Sequence, residues 1–223
     1  MKKLFNTYIK NNLGLINLFG KSFGRAFFLL LISFLAYKLS VKDFASFAIF
    51  WSSLRMFTFY SANNLYIIYF NKIRESLTID KKWPVKISSN IVITAVFFSI
   101  IITIISLYIF DDIATTILII PSLFLFIIIR NLSEFAKVDN SLFLSIFIED
   151  VLFYVLFFIL SVLGVYLYNG FQIIVIALLL SLFLTAVICL ILFKRKFNIN
   201  INTFKISIKD FSFSDFKLGV NYT

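Results

Sequence analysis

The sequence predicts an all-α integral membrane protein of six transmembrane helices in three antiparallel hairpins. Three observations lead there: apolar residues make up 61% of the 223 residues and charged residues only 14%, the apolar residues are gathered into long runs, and the basic residues fall on alternate sides of those runs. A water-soluble domain of this length has too little interior to hide such a content. Lipid is the solvent that accepts it, and in lipid the backbone satisfies its own hydrogen bonds as helices.

Histidine is absent and cysteine occurs once, as Cys189. That removes imidazole acid–base chemistry, His or Cys metal sites and disulfides, so no metal, no cofactor and no catalytic residue is expected. The net charge of +10 is scattered between apolar blocks rather than gathered on one polar face, which argues against a nucleic-acid partner.

About 20 residues at ~1.5 Å each cross a hydrocarbon layer of roughly 30 Å. Six runs meet that length: Asn17 to Tyr37, Phe44 to Phe70, Val85 to Phe110, Ile113 to Ile129, Leu142 to Tyr168 and Phe171 to Phe193. The links Leu39 to Asp43, Asp111 to Asp112 and Asn169 to Gly170 read as tight turns. Those at Asn71 to Pro84 and Asn131 to Ser141 read as longer polar loops. Residues 1–197 thus form one six-helix membrane lobe, and residues 198–223 a cytoplasmic tail or a linker to a missing second lobe. Within the tail, Phe211 to Phe216 alternates aromatic with polar residues, a pattern suited to the membrane interface.

Orientation follows from the basic residues. Placing the N-terminus inside puts Lys2, Lys3, Lys10, Lys72, Arg74, Lys81, Lys82, Lys86, Arg130, Lys137 and Lys194-Arg195-Lys196 on the cytoplasmic side, with Lys205, Lys209 and Lys217. Only Lys38 and Lys42 remain outside, beside Asp43, Asp111 and Asp112. The positive-inside rule therefore sets both termini in the cytoplasm.

Most polar residues within the runs, among them Ser99, Thr103, Ser161, Ser181 and Thr185, are expected to bond their own helix or a neighbour. Pro121 is expected to kink the fourth span. The charged residues differ. Counting inward from the outer turns, Arg25 lies about 20 Å deep and Arg55 about 18 Å, nearly level on adjacent antiparallel helices. Lys21 lies one turn further inward on the face of Arg25, with Asn17 beyond it. Glu149 and Asp150 count to the inner rim, roughly 27 to 28 Å from the outer end, where Arg130 also arrives and where Lys21 could join them. Arg25 and Arg55 then stand about 8 to 10 Å above every acid.

An unpaired guanidinium at mid-bilayer costs at least ~2.5 to 3.5 kcal/mol. Arginine cannot shed its proton, and snorkelling from that depth reaches only partway to the headgroups. A wet cavity open to an anion resolves the problem, and the planar fork of Arg matches two phosphate oxygens at once. Arg25, Arg55 and Lys21 are therefore the candidate substrate-binding residues. Trp51, one turn from Arg55, and Tyr60 lie deep enough to face a sugar, although core packing accounts for them as well.

The run Phe19-Gly20-Lys21-Ser22-Phe23-Gly24-Arg25, the helix end Leu35-Ala36-Tyr37-Lys38-Leu39-Ser40, and Asp43-Phe44-Ala45-Ser46-Phe47-Ala48 together resemble the first hairpin of Wzx-type polysaccharide flippases. These belong to the multidrug/oligosaccharidyl-lipid/polysaccharide exporter superfamily. Arg130-Asn131-Leu132-Ser133-Glu134 resembles that family's fourth-to-fifth helix junction. Ser40-Val41 and Ala45 stand where members often carry Gly-Pro and Gly.

The resemblance implies one lobe of a two-lobed flippase of the bacterial inner membrane, moving undecaprenyl-pyrophosphate-linked oligosaccharide for O-antigen or capsule assembly, without enzymatic chemistry. Arg25 and Arg55 match the cavity cations of that family, whose chains are about twice as long, so a truncated half is expected. Expected partners are the lipid-linked oligosaccharide, membrane lipid, and a second lobe or glycan-assembly membrane proteins. The competing readings are an inactive fragment, a non-transporting subunit of a glycan-assembly complex, and a membrane glycan polymerase or acyltransferase. The minimal outer turns weigh against an enzyme.

Overall fold

The computed structural model describes residues 13–56 and 58, scattered helical positions between 93 and 107, and residues 113–138, 142–168 and 170–197. Among the described residues the secondary structure is helical, with no strand. Helix α1 spans Leu13–Lys38, α2 residues 41–56, α3 Ile113–Val138 and α4 Leu142–Ile146. A π-helical segment, Phe147–Leu152, joins α4 without a break to α5, Phe153–Leu167. Helix α6 spans Phe171–Phe197.

Three stretches are long and apolar enough to cross a bilayer, Leu18–Lys38, Phe143–Leu167 and Phe171–Leu192, and Ile120–Arg130 is a shorter apolar stretch within α3. The chain is an all-α membrane protein. Most of the expected third span, the inner end of the second, Tyr60, the 71–84 loop and the 198–223 tail lie outside the described residues. The basic residues from Lys72 to Lys86 lie there too.

Several expected boundaries move: α1 starts at Leu13 and α2 at residue 41, each a few residues before the expected start. Residues 131–138, read from sequence as loop, continue α3 to Val138, and α6 runs through Lys194-Arg195-Lys196 to Phe197. Hydropathy marks where lipid contact ends, whereas the backbone ladder can continue into the headgroup region, because a helix needs no apolar partner there. Pro121 lies inside α3, which passes through it, and the neighbouring Ser122 hydroxyl donates to the Leu118 carbonyl at 2.9 Å.

The turn between α1 and α2 is set by local chemistry. Ser40 is the N-cap of α2. Its Oγ accepts the Asp43 backbone N–H at 3.1 Å and donates to the Asp43 carboxylate at 2.7 Å, a reciprocal arrangement that satisfies a free helix-end donor and puts negative charge in the first turn. At the same end of α1, the Lys38 ammonium lies 5.3 Å from the Tyr37 ring and 5.5 Å from the Tyr166 ring of α5.

Helix α1 packs along α4, the π segment and α5, while α6 packs against α5 and α3. The core is aliphatic toward α6, with Leu123, Ile127, Ile174, Leu178 and Leu182 buried. It is aromatic around Trp51, which is 8% exposed. The indole stacks near parallel on Phe153 at 6.3 Å and on Phe157 at 5.8 Å, with Phe28 at 4.9 Å and the Phe126 ring edge-on at 6.2 Å. Trp51 is thus a packing residue. Buried hydroxyls bond their own helices as expected: Thr58 to Leu54, Thr103 to Ser99 and Thr185 to Ser181 carbonyls, at 2.6 to 2.7 Å, and Ser181 to Leu178 at 2.7 Å. Ser161 differs: it is fully buried, and among the described residues its Oγ has no partner.

Candidate functional site

The close packing of α1 begins with two glycines one turn apart. A Cβ on Gly20 would fall 2.2 Å from the Ile146 side chain. One on Gly24 would fall 1.7 Å from the Asp150 carbonyl oxygen and 3.2 Å from the Tyr154 ring. The second contact is with backbone, which cannot swing away. Glycine at 24 is therefore what lets α1 lie directly on the π segment, the small-xxx-small packing of membrane helices. Gly20 and Gly24 carry no charge and were passed over in the sequence, yet the four-residue spacing of two glycines in an apolar helix was the signal that pointed to them.

Arg25 follows Gly24, so this contact fixes where its side chain starts. Depth counting placed Asp150 well below Arg25, and the structure corrects this by setting the Asp150 carbonyl against Gly24. The count took Lys38 and Tyr168 as level, whereas the Lys38 ammonium lies over the Tyr166 ring, so the two helices are offset along their length. The wider turn at residues 147–152, where the Phe153 N–H bonds the Ile148 carbonyl, shortens the rise only slightly more.

Toward the C-terminal end of α3, Arg130 forms an ion pair with Glu149, one of the two acids its sequence position predicts. The Ser133 hydroxyl donates to the other Glu149 oxygen at 2.7 Å and lies 2.7 Å from the Ser145 hydroxyl, with both serines fully buried. Arg130 and Glu149 side chains are 22% and 12% exposed. This network is a polar joint that ties α3 to α4 and the π segment. A cleft about the size of one water molecule lies beside it, lined by Phe126, Ile129, Arg130, Glu149 and Phe153.

The other two arginines meet no such partner. Lys21, Arg25 and Arg55 are exposed, and among the described residues none of the three forms an ion pair. The Arg55 guanidinium lies 5.9 Å from the Trp51 ring and 6.0 Å from the Phe126 ring, so aromatic faces supply what stabilisation it receives. Tyr154 packs between α1 and Trp51. Its ring touches the Gly24 position and lies 6.4 Å from Trp51, and Arg55, Asp150, Arg130 and Arg25 all lie within electrostatic reach of its hydroxyl. Arg25 and Arg55 thus share the surroundings of this tyrosine with Arg130 and Asp150, while Lys21 is exposed on α1. Tyr154 is uncharged, and nothing in the sequence pattern singles it out. Only its packing against Gly24 distinguishes it.

What this arrangement can do is bind. Two fixed guanidiniums beside a phenol offer hydrogen-bond donors to an oxyanion, whereas the nearest carboxylates, Glu149 and Asp150, lie on the π segment rather than facing each other as an acid–base pair. Comparison with protein-family models, with curated proteins and with solved structures finds no match for this chain.

Proposed function

We propose that this chain translocates an undecaprenyl-pyrophosphate-linked oligosaccharide across the bacterial inner membrane, as one lobe of a Wzx-type flippase. In this reading six spans form three hairpins, both termini are cytoplasmic, and a second lobe closes the cavity. No covalent chemistry is involved. The observation that supports the reading is that Arg25 and Arg55 are both exposed, form no ion pair among the described residues of an apolar lobe, and lie within electrostatic reach of the same tyrosine. A membrane protein retains such charges where an anion uses them. The pyrophosphate supplies the negative charge, the arginines its forked donors, and Lys21 an additional cation at the inner approach.

The test is export. In cells that depend on this chain for surface glycan, the Arg25→Gln/Arg55→Gln protein, present in the membrane at normal level, lowers export by roughly 100-fold or more, the loss expected for two charge-assisted contacts. Unchanged export removes both arginines from the mechanism.

A further inference from the structure

We propose that the Tyr154 hydroxyl is a third, neutral donor to the pyrophosphate group held by Arg25 and Arg55. This rests on the reading above and names a ligand residue that the charge pattern of the sequence does not show. The geometry carries it in three steps.

The ring comes first. Tyr154 is 9% exposed, and its ring lies among those of Phe28 at 5.6 Å, Phe153 at 5.0 Å and Trp51 at 6.4 Å, with the Gly24 position against its edge. A ring so enclosed has little freedom, and its oxygen is fixed in place before any ligand arrives.

The hydroxyl comes second. A largely buried tyrosine ordinarily finds a partner for its O–H, yet among the described residues none is found, and the oxygen is not sealed from the surface as the Ser161 oxygen is. It is an open donor at the edge of the packed core.

The neighbours come third. Gly24 brings the root of Arg25 to one side of the ring, and Trp51, which carries the Arg55 guanidinium at 5.9 Å, lies on the other. A pyrophosphate has more acceptor lone pairs than two guanidiniums can fill, so a phenol between them completes the set without adding charge that would hinder release.

The experiment uses the full chain in lipid nanodiscs on a Trp83→Phe background, so that Trp51 is the fluorescent reporter. Undecaprenyl pyrophosphate is titrated in one arm and inorganic pyrophosphate in the other, and thermal unfolding is followed in parallel. Tyr154→Phe keeps the ring and removes the oxygen. It is expected to weaken binding of the pyrophosphate group by roughly 10-fold to 100-fold with an unchanged unfolding midpoint. Weakening in both arms assigns the contact to the headgroup itself, and weakening in the lipid arm alone assigns it to the headgroup as presented by the membrane. Wild-type binding that Tyr154→Phe leaves intact, while Arg25→Gln/Arg55→Gln abolishes it, overturns this inference and leaves the proposed function standing. Absence of binding by the parent protein in both arms overturns both. Should Tyr154→Phe lower the midpoint, Tyr154→Trp, which restores a ring N–H donor, must recover binding for the inference to survive.

Discussion

Arg130 and Arg55 flank the same phenylalanine and are treated in opposite ways. Phe126 lines the cleft beside Arg130 and lies 6.0 Å from the Arg55 guanidinium. Arg130 is neutralised by Glu149, whose second oxygen is bonded by Ser133. Arg55 has two aromatic faces and no ion pair among the described residues. The first is built into the fold, and the second is left available to something else. Residue type does not separate the two, and partners do. A buried pair whose partner is removed costs the fold dearly. A charge without a partner already carries its penalty, and removing it relieves the fold while it disables the ligand site.

The sharpest way to break this contrast is stability. Glu149→Gln, which keeps the shape and removes the charge, is expected to destabilise the protein by about 3 kcal/mol by leaving Arg130 uncompensated, read as a lower denaturation midpoint in detergent. Arg25→Gln/Arg55→Gln should leave that midpoint unchanged or raise it. Equal destabilisation by the two variants would erase the distinction between joint and ligand site. Next comes the contact that holds the two regions together. Gly24→Ala forces a Cβ onto the Asp150 carbonyl and should cost about 1–3 kcal/mol, whereas Gly20→Ala meets the Ile146 side chain and should cost less; a reversed order in a thermal melt would mean that α1 does not rest on the π segment through Gly24. The smallest effect is expected at Ser161. Its hydroxyl has no partner, so Ser161→Ala should change stability by no more than about 0.5 kcal/mol or raise it slightly, and a clear loss in the same melt would reveal a hydrogen bond to that oxygen.

Much of the fold was legible because lipid imposes a simple pattern. The first, fifth and sixth runs are apolar over a membrane thickness and appear as α1, as α4 through α5, and as α6. The Arg130–Glu149 pair was legible too, since both residues count to the same depth. Residues 131–138 were not, because their polar composition reports solvent rather than backbone conformation. The π segment leaves no mark in Phe-Ile-Glu-Asp-Val-Leu, a stretch that suits an α-helix equally well. The offset between the helices and the approach of Gly24 leave no mark in composition either. Nor does the packing of Tyr154 against Gly24 and Trp51, since which face a residue presents to a distant helix depends on packing that one helix's periodicity does not contain.

The widened turn at Phe147–Leu152 also acts as a phase adjuster. Inserting one residue into a single turn rotates everything before it relative to everything after it, so one continuous rod can present Ser145 and Glu149 to α3 at one end and phenyl rings to Trp51 further along. Straightening that turn would force one of these two alignments to give way. The polar joint and the aromatic seat beneath Arg55 thus depend on the same widened turn.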